Sequence, residues 1–428
     1  MTLLIISPDY ASHLLPLATL GTAWRDAGQR VIVATGPATA DIVESFGFER
    51  INLQLGKGSN PGVIRAEEQP KGEDDALRGF FDATRLGMIE TLTFQATARL
   101  SDLMWEPVRA ARDVLAIVES VKPDAIIVDH LAFSARLALV AGGVPYADVV
   151  LGHPSALPVG DEVYGFPPAW PAAFEPTAEQ LDALRALCDE VSRSFTLEWN
   201  TALAELAPHL PPSPSAFMEH GDLLLLNYPE ELSSPERTAL LPKHVFLGSA
   251  VREEPSDPEV DVWLASSDEP FVYVSFGSFL SVRSDVLARV ASALKSAGMR
   301  AAIATGSSDP ADLGELPDGW LVRGFLPQVT LLQKAAAAVS HGGNNSVTEA
   351  MTYGVPLMVL PFSTDQFAGA EAIERAGFGI SLAPNTATVD ALTAAITGVL
   401  ALPRERLDAL AGSLAQEPGR VRAFRATS

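Results

Sequence analysis

The chain has 428 residues, and its 53 acidic side chains outnumber 30 basic ones, for a net charge of −23. That length exceeds one ordinary domain and suits two, and a 47% share of hydrophobic residues is enough to fill two cores. The negative balance disfavours nucleic acid and anionic membranes as partners, and a single cysteine, Cys188, excludes an internal disulfide framework. No apolar run has the length to span a bilayer, and the first residues lack the basic start of an export signal. A cytoplasmic protein, monomer or homodimer, is expected.

Residues 3–7 form an apolar run of strand length, ended by Pro8. A loop through Ser12 and His13 leads to an apolar helix over 14–27, closed by Gly28. A second strand covers 30–36 and a short helix 40–46. This β-α-β-α order starts a parallel sheet wrapped by helices. His13 then lies just beyond the C-terminal end of the first strand, where such sheets place ligands. Residues 56–75, rich in Gly, Pro and charge, read as a loop near a binding site or as a plain solvated loop. Helices follow over 76–121. In them Met88, Phe94, Met104 and Trp105 either face a small-molecule pocket or fill a core.

Residues 123–129 are another buried strand, with Asp129 at its C-terminal end. Two strand ends of one sheet can bring His13 and Asp129 together despite their separation. Alone, His13 reads as an ordinary loop histidine and Asp129 as the cap of a helix starting near Phe133. His130 should point the opposite way to Asp129. After a strand over 146–151, His153 either lines a pocket or sits in a loop. Residues 154–176, with Tyr164, Phe166, Trp170 and Phe174, suggest an irregular pocket wall. A helix over 178–206 and a last strand of the first domain over 222–227 complete this half. His244 to Gly248 leads into an acidic linker at 253–258.

The alternation restarts with strands over 270–276, 300–305, 320–324, 335–340 and 357–360, and a helix over 389–400. The expected domains are 1–232, 233–405 and a tail, 406–428, that returns towards the first. Gly277 and Ser278 close the first of these strands. Further on stand Phe325-Leu326-Pro327-Gln328, His341-Gly342-Gly343-Asn344-Asn345-Ser346, Glu349 and Asp365-Gln366. A glycine turn between a strand and a helix offers unpaired N–H groups to a phosphate. Glu349 shares the helix face of Asn345 and Ser346 and suits a ribose diol. Asp365-Gln366, opening the next helix, suits sugar hydroxyls. The block reads as a nucleotide-sugar site.

These residues resemble the donor signature of the family-1 glycosyltransferases, which reads Trp-x-Pro-Gln, His-Cys-Gly-Trp-Asn-Ser, Glu and Asp-Gln in plant members. The spacing from Phe325 to His341 is similar to that of bacterial natural-product members. The resemblance implies an α/β GT-B fold, with two Rossmann-like doubly wound parallel-sheet domains facing across a cleft. It implies that Phe325 stacks on the base, with Leu326 and Gln328 beside it. His341, Gly343, Asn345 and Ser346 would hold the diphosphate, with Gly277 and Ser278 against it. Glu349 would hold the ribose, and Asp365 and Gln366 the hexose. Asn344 and Phe325 both stand where tryptophan is usual.

The family's catalytic base is a His with a Pro three residues on, matched by His13 and Pro16, and Asp129 matches the aspartate that orients it. The implied reaction is inverting transfer of a hexose to a hydroxyl of a small, largely apolar acceptor. UDP-glucose is favoured as donor and a dTDP-sugar is the other option. His153, Phe94 and Met88 are the expected acceptor-pocket residues. No cofactor or metal is expected. A nucleotide-sugar epimerase of the same fold, or a non-catalytic partner of a transferase, is the alternative.

Overall fold

The apolar runs form the buried strands of two parallel sheets. In β1 (Thr2–Ile6) the last four residues are buried, as expected of a strand covered by helices on both faces. The computed structural model describes residues 1–60, 73–101 and 104–427, with backbone alone at 73, 74, 101 and 278. Most of the loop expected over 56–75 therefore lies outside the described residues.

The first sheet contains β1, β2 (Arg30–Thr35), β3 (Glu49–Asn52), β4 (Ala125–Asp129), β5 (Ala147–Val150), β6 (Leu223–Leu226) and β7 (His244–Phe246). Their spatial order is β3-β2-β1-β4-β5-β6-β7. The second contains β8 (Phe271–Ser275), β9 (Arg300–Ala304), β10 (Leu321–Arg323), β11 (Ala337–Ser340), β12 (Leu357–Val359) and β13 (Gly379–Ser381), ordered β10-β9-β8-β11-β12-β13. Every neighbouring pair is parallel.

Each sheet reverses its order once, between β1 and β4 and between β8 and β11. Loops leaving adjacent strands diverge at such a point and open a ligand crevice beyond the carboxyl ends. His13 follows β1 and Asp129 ends β4; Gly277 follows β8 and His341 follows β11. The fold thus places both halves of the expected site at its two reversal points.

The first domain is longer than the expected 1–232. His244–Phe246 pairs in parallel with β6, so the strand over 222–227 is not the last of its sheet, and the boundary moves past β7. The edge strands β3 and β13 were not anticipated, because Glu49–Asn52 is largely polar and Gly379–Ser381 is three residues long. The helix Ala178–Leu206 lies where the sequence places it. Thr177 Oγ accepts from the Gln180 N–H at 3.2 Å while the Gln180 side chain accepts from the Thr177 N–H at 2.9 Å, a reciprocal cap. The helix Glu73–Leu86 leaves the first domain to pack on the second, with Phe80 and Phe81 at 5.1 and 5.4 Å from the ring of Phe279. Among the described residues no helix is long and apolar enough to cross a membrane.

The end of the chain divides. Helix Glu405–Gln416 packs on helix Asn344–Thr352 through Leu407, Leu410 and Leu414. Helix Gly419–Thr427 crosses back to the first domain, with Phe424 edge-on to Trp24 at 5.2 Å and Arg420 paired with Asp26 at 3.0 Å. Gly419 marks the crossing: a Cβ there would lie 2.5 Å from the Ser249 carbonyl oxygen and 2.8 Å from that of Leu247. Both obstacles are backbone, so neither can rotate away. Gly419→Ala should lower stability by about 1–3 kcal/mol, the usual range for overpacking. Urea unfolding followed by Trp fluorescence would measure it.

Candidate functional site

Helix Ala11–Asp26 starts directly after β1, three residues earlier than expected, because the Ala11 N–H bonds the Asn60 carbonyl at 2.7 Å and fixes its entry. His13 therefore stands in the first helical turn rather than in a preceding loop. Its Nδ1 lies 2.6 Å from Asp129 Oδ2. The Leu131 N–H donates to Asp129 Oδ1 at 2.8 Å, so both oxygens of a carboxylate only 1% exposed are engaged. With Nδ1–H donated to Asp129, Nε2 carries the free lone pair. Burial opposes a charged imidazole most strongly, but the charge and hydrogen bond of Asp129, aided by Asp365, outweigh it. The His13 pKa is raised above its ordinary 6.5. His130, one residue after Asp129, is buried the other way beside Asp148 and Arg136, and burial lowers its pKa.

Pro16 sits inside this helix and has no N–H to offer the Ser12 carbonyl four residues earlier. The Nδ2 of Asn345, from the second domain, donates to that carbonyl at 3.1 Å instead. Asn344 also crosses, donating to the carbonyls of Leu151 at 2.6 Å and Asn227 at 2.9 Å. Where the family usually has a tryptophan, this chain has a polar bridge between domains.

In the second domain, β8 and β11 end on the register partners Ser275 and Ser340. Each hydroxyl accepts the N–H two residues ahead, Gly277 at 3.2 Å and Gly342 at 3.1 Å. These bonds hold two tight turns, and both glycines have positive φ (69° and 86°), which other residues rarely adopt. His341 is wedged between them: a Cβ on Gly343 would fall 2.4 Å from its Nε2, and one on Gly277 3.0 Å from its Cε1. Burial, partly offset by the nearby Ser275 backbone, lowers the His341 pKa to about 4. The ring is thus neutral at neutral pH, and among the described residues its buried Nδ1 meets no group in full hydrogen-bond geometry. Helix Asn344–Thr352 begins beside it, with its free N–H groups facing the same space.

A cleft of about 750 Å³ collects these features. His13, Gly277, Phe325, Leu326, Gln328, His341, Gly343, Asn345, Ser346 and Asp365 all line it, and Phe325 is 71% exposed at its rim. The side chain of Ser278 lies outside the described residues. Tyr164 and Phe166, from the irregular segment, and Tyr10, Ser275 and Phe279 complete the wall.

Other expected contacts fall elsewhere. Glu349 does not reach the cleft: its Oε1 pairs with Arg252 at 2.8 Å and its Oε2 accepts from Gln328 at 2.5 Å. Arg252, which also pairs with Glu254 at 2.7 Å, lines the cleft in its place. It was missed because it stands at the edge of the acidic run 253–258, read as the interdomain linker. Gln366 is buried, its Oε1 accepting from the N–H groups of Phe362 and Ser363 and its Nε2 donating to Ser363 Oγ. It holds the turn before its helix and does not line the cleft.

Asp365 lines the cleft but is engaged across it, accepting from the His153 N–H at 2.6 Å and from Thr364 Oγ at 2.9 Å. Thr364 itself has φ 51°, a strained conformation at the site. His153 keeps its ring out of the cleft, edge-on to Tyr228, and burial lowers its pKa to about 3. Met88 and Phe94 are core residues, and Leu92, Gln95, Ala96 and Arg99 of the same helix line the cleft instead. Met104 and Trp105 line a second cavity.

The model of the family described as UDP-glucoronosyl and UDP-glucosyl transferase matches residues 184–411. Glycosyltransferase GtfE of Amycolatopsis orientalis is 27% identical over 407 residues, 93% of this chain and 90% of that protein. The spinosyn forosaminyltransferase SpnP (TM-score 0.68, 18% identity) covers 100% of this chain with 98% of its own. The glycosyltransferase VinC, solved in complex with dTDP, has a TM-score of 0.65 at 20% identity and the same coverage. The chain belongs to the UDP-glucuronosyl and UDP-glucosyl transferase family and is a glycosyltransferase of GT-B fold.

Proposed function

We propose that the enzyme transfers a hexose from a nucleoside diphosphate sugar to a hydroxyl of a small, largely apolar acceptor, with inversion. His13 Nε2 takes the hydroxyl proton while the acceptor oxygen forms a bond to the anomeric carbon. The bond from that carbon to the phosphate oxygen breaks, and its electron pair leaves with the nucleoside diphosphate. Asp129 holds Nδ1 and stabilises the imidazolium that forms. The leaving diphosphate gains charge against the His341 ring and the N-terminus of helix Asn344–Thr352, both already in place. The observation that carries this reading is the 2.6 Å His13–Asp129 pair in the wall of the cleft that His341 and Gly343 also line.

UDP-glucose is the favoured donor, in keeping with the family's description. A dTDP-sugar is the alternative, as VinC binds dTDP. Both oxygens of Glu349 are engaged, so a ribose diol reaches it only by displacing Arg252 or Gln328. Recognition of a 2′-hydroxyl is weak under that constraint, and either nucleotide fits. Phe325 supplies the exposed ring on which a base stacks.

His13→Ala should lower kcat/KM by about 10²–10⁴-fold. Mass spectrometry with UDP-glucose and a panel of phenolic acceptors reads the glycoside; wild-type rates in the variant would refute the base assignment, and an isomerised donor would indicate an epimerase.

The pH profile gives a second check. A general base must be neutral, and the His13 pKa is raised, so kcat/KM should fall with acidity through a limb lying above pH 6.5. In Asp129→Asn, burial is left without its main opponent, so the limb should move to lower pH while the plateau drops. A limb that stays in place would dissociate Asp129 from the base.

Pro16→Ala restores an N–H that competes with Asn345 for the Ser12 carbonyl. It should reduce kcat roughly tenfold with a smaller change in KM for donor, as steady-state kinetics would show.

A further inference from the structure

Besides the interdomain cleft, the first domain has a second cavity of about 520 Å³. The two share four residues, Tyr10, His13, Arg99 and Leu131, so His13 and Arg99 both stand between them. Arg99 comes from the last turn of helix Met88–Ser101. The helix dipole favours a cation at that end, but this does not account for its reaching both cavities.

Among the described residues nothing bonds or pairs with the Arg99 side chain. The contrast with the other cleft arginine is sharp, since Arg252 is held by Glu349 and Glu254. The carboxylates on the two walls are also occupied. Asp9 accepts from the N–H groups of Ala38 and Thr39 and from Thr39 Oγ, and Asp365 accepts from His153 and Thr364. With 53 acidic residues against 30 basic ones, internal counter-ions are abundant in this chain, yet among the described residues none meets Arg99. The same excess repels an incoming anion, so a bound one needs a local cation.

We propose that the acceptor carries a carboxylate, gripped by Arg99 while its hydroxyl faces His13. A guanidinium presents parallel N–H groups that match a carboxylate in a two-pronged bond. The second cavity is lined by first-domain residues alone, which assigns Arg99 to the acceptor rather than to the donor diphosphate. Lys57 lies on that cavity too, and Leu92, Ala96 and Trp105 make the surroundings apolar. The fitting substrate is a hydroxylated, ring-bearing acid. The inference rests on the transfer reading of the same cleft.

Binding tests it without turnover. Calorimetry with UDP present would compare para-hydroxycinnamic acid with its methyl ester, and salicylic acid with methyl salicylate. For at least one pair the acid should bind about tenfold tighter than the ester, less so at high salt. In Arg99→Gln the ratio should collapse to within about twofold, and Arg99→Lys should keep part of it. Esters binding as tightly as acids, a preference that survives Arg99→Gln, or no binding of either acid would overturn the proposal. A tenfold preference with no glycoside formed from any acceptor would support the carboxylate site at Arg99 and overturn the transfer reading, so the two fail separately.

Discussion

One carbonyl, deprived of its helical donor by a proline, ties the two halves of this enzyme together. In an uninterrupted helix the Ser12 oxygen would accept from residue 16 and be closed to anything else. Pro16 leaves it open, and Asn345 takes it. The helix carrying His13 and the helix that begins beside His341 are therefore positioned against each other by a bond that exists only because of this break. Asn344 repeats the principle on the carbonyls of Leu151 and Asn227. A polar group taken partly out of water without a partner is costly, so the part-buried bonds of Asn344 favour the domain arrangement in which they are made.

Around that contact the two imidazoles have opposite electrostatics. His13 faces a buried carboxylate and holds a proton more tightly than a free histidine. His341 faces glycines and a helix N-terminus and is held neutral. The difference arises from placement alone. Asp129 ends the strand next to β1, whereas the strand next to β11 ends in a serine hydroxyl that is bonded to its own turn. One histidine is suited to accepting a proton, and the other to donating a hydrogen bond to an anion.

Much of this was legible in the sequence, because strand ends are announced by apolar runs that stop at Pro, Gly or a charged residue. The run ending at Asp129 and the run before His341 marked strands that flank the two reversal points, and the glycine turn after the second lies on the cleft. What could not be read was where side chains go once partners are available. Glu349 has the position and the charge for a ribose, but Arg252 arrives from a stretch that looks like solvated linker. Gln366 has the chemistry for a sugar, but its own turn presents two closer N–H donors. Met88 and Phe94 have the size of pocket residues, and only the rotation of their helix decides that Leu92, Ala96 and Arg99 face the cleft instead. The seventh strand of the first sheet was obscured by its half-buried, three-residue length.

The two chain crossings between the domains meet at one place, Gly419 lying against the carbonyls of Leu247 and Ser249. Two covalent connections passing through a single spot leave the halves little freedom to slide or twist. Any rotation of one lobe against the other would have to turn about that point, because both connections are anchored there.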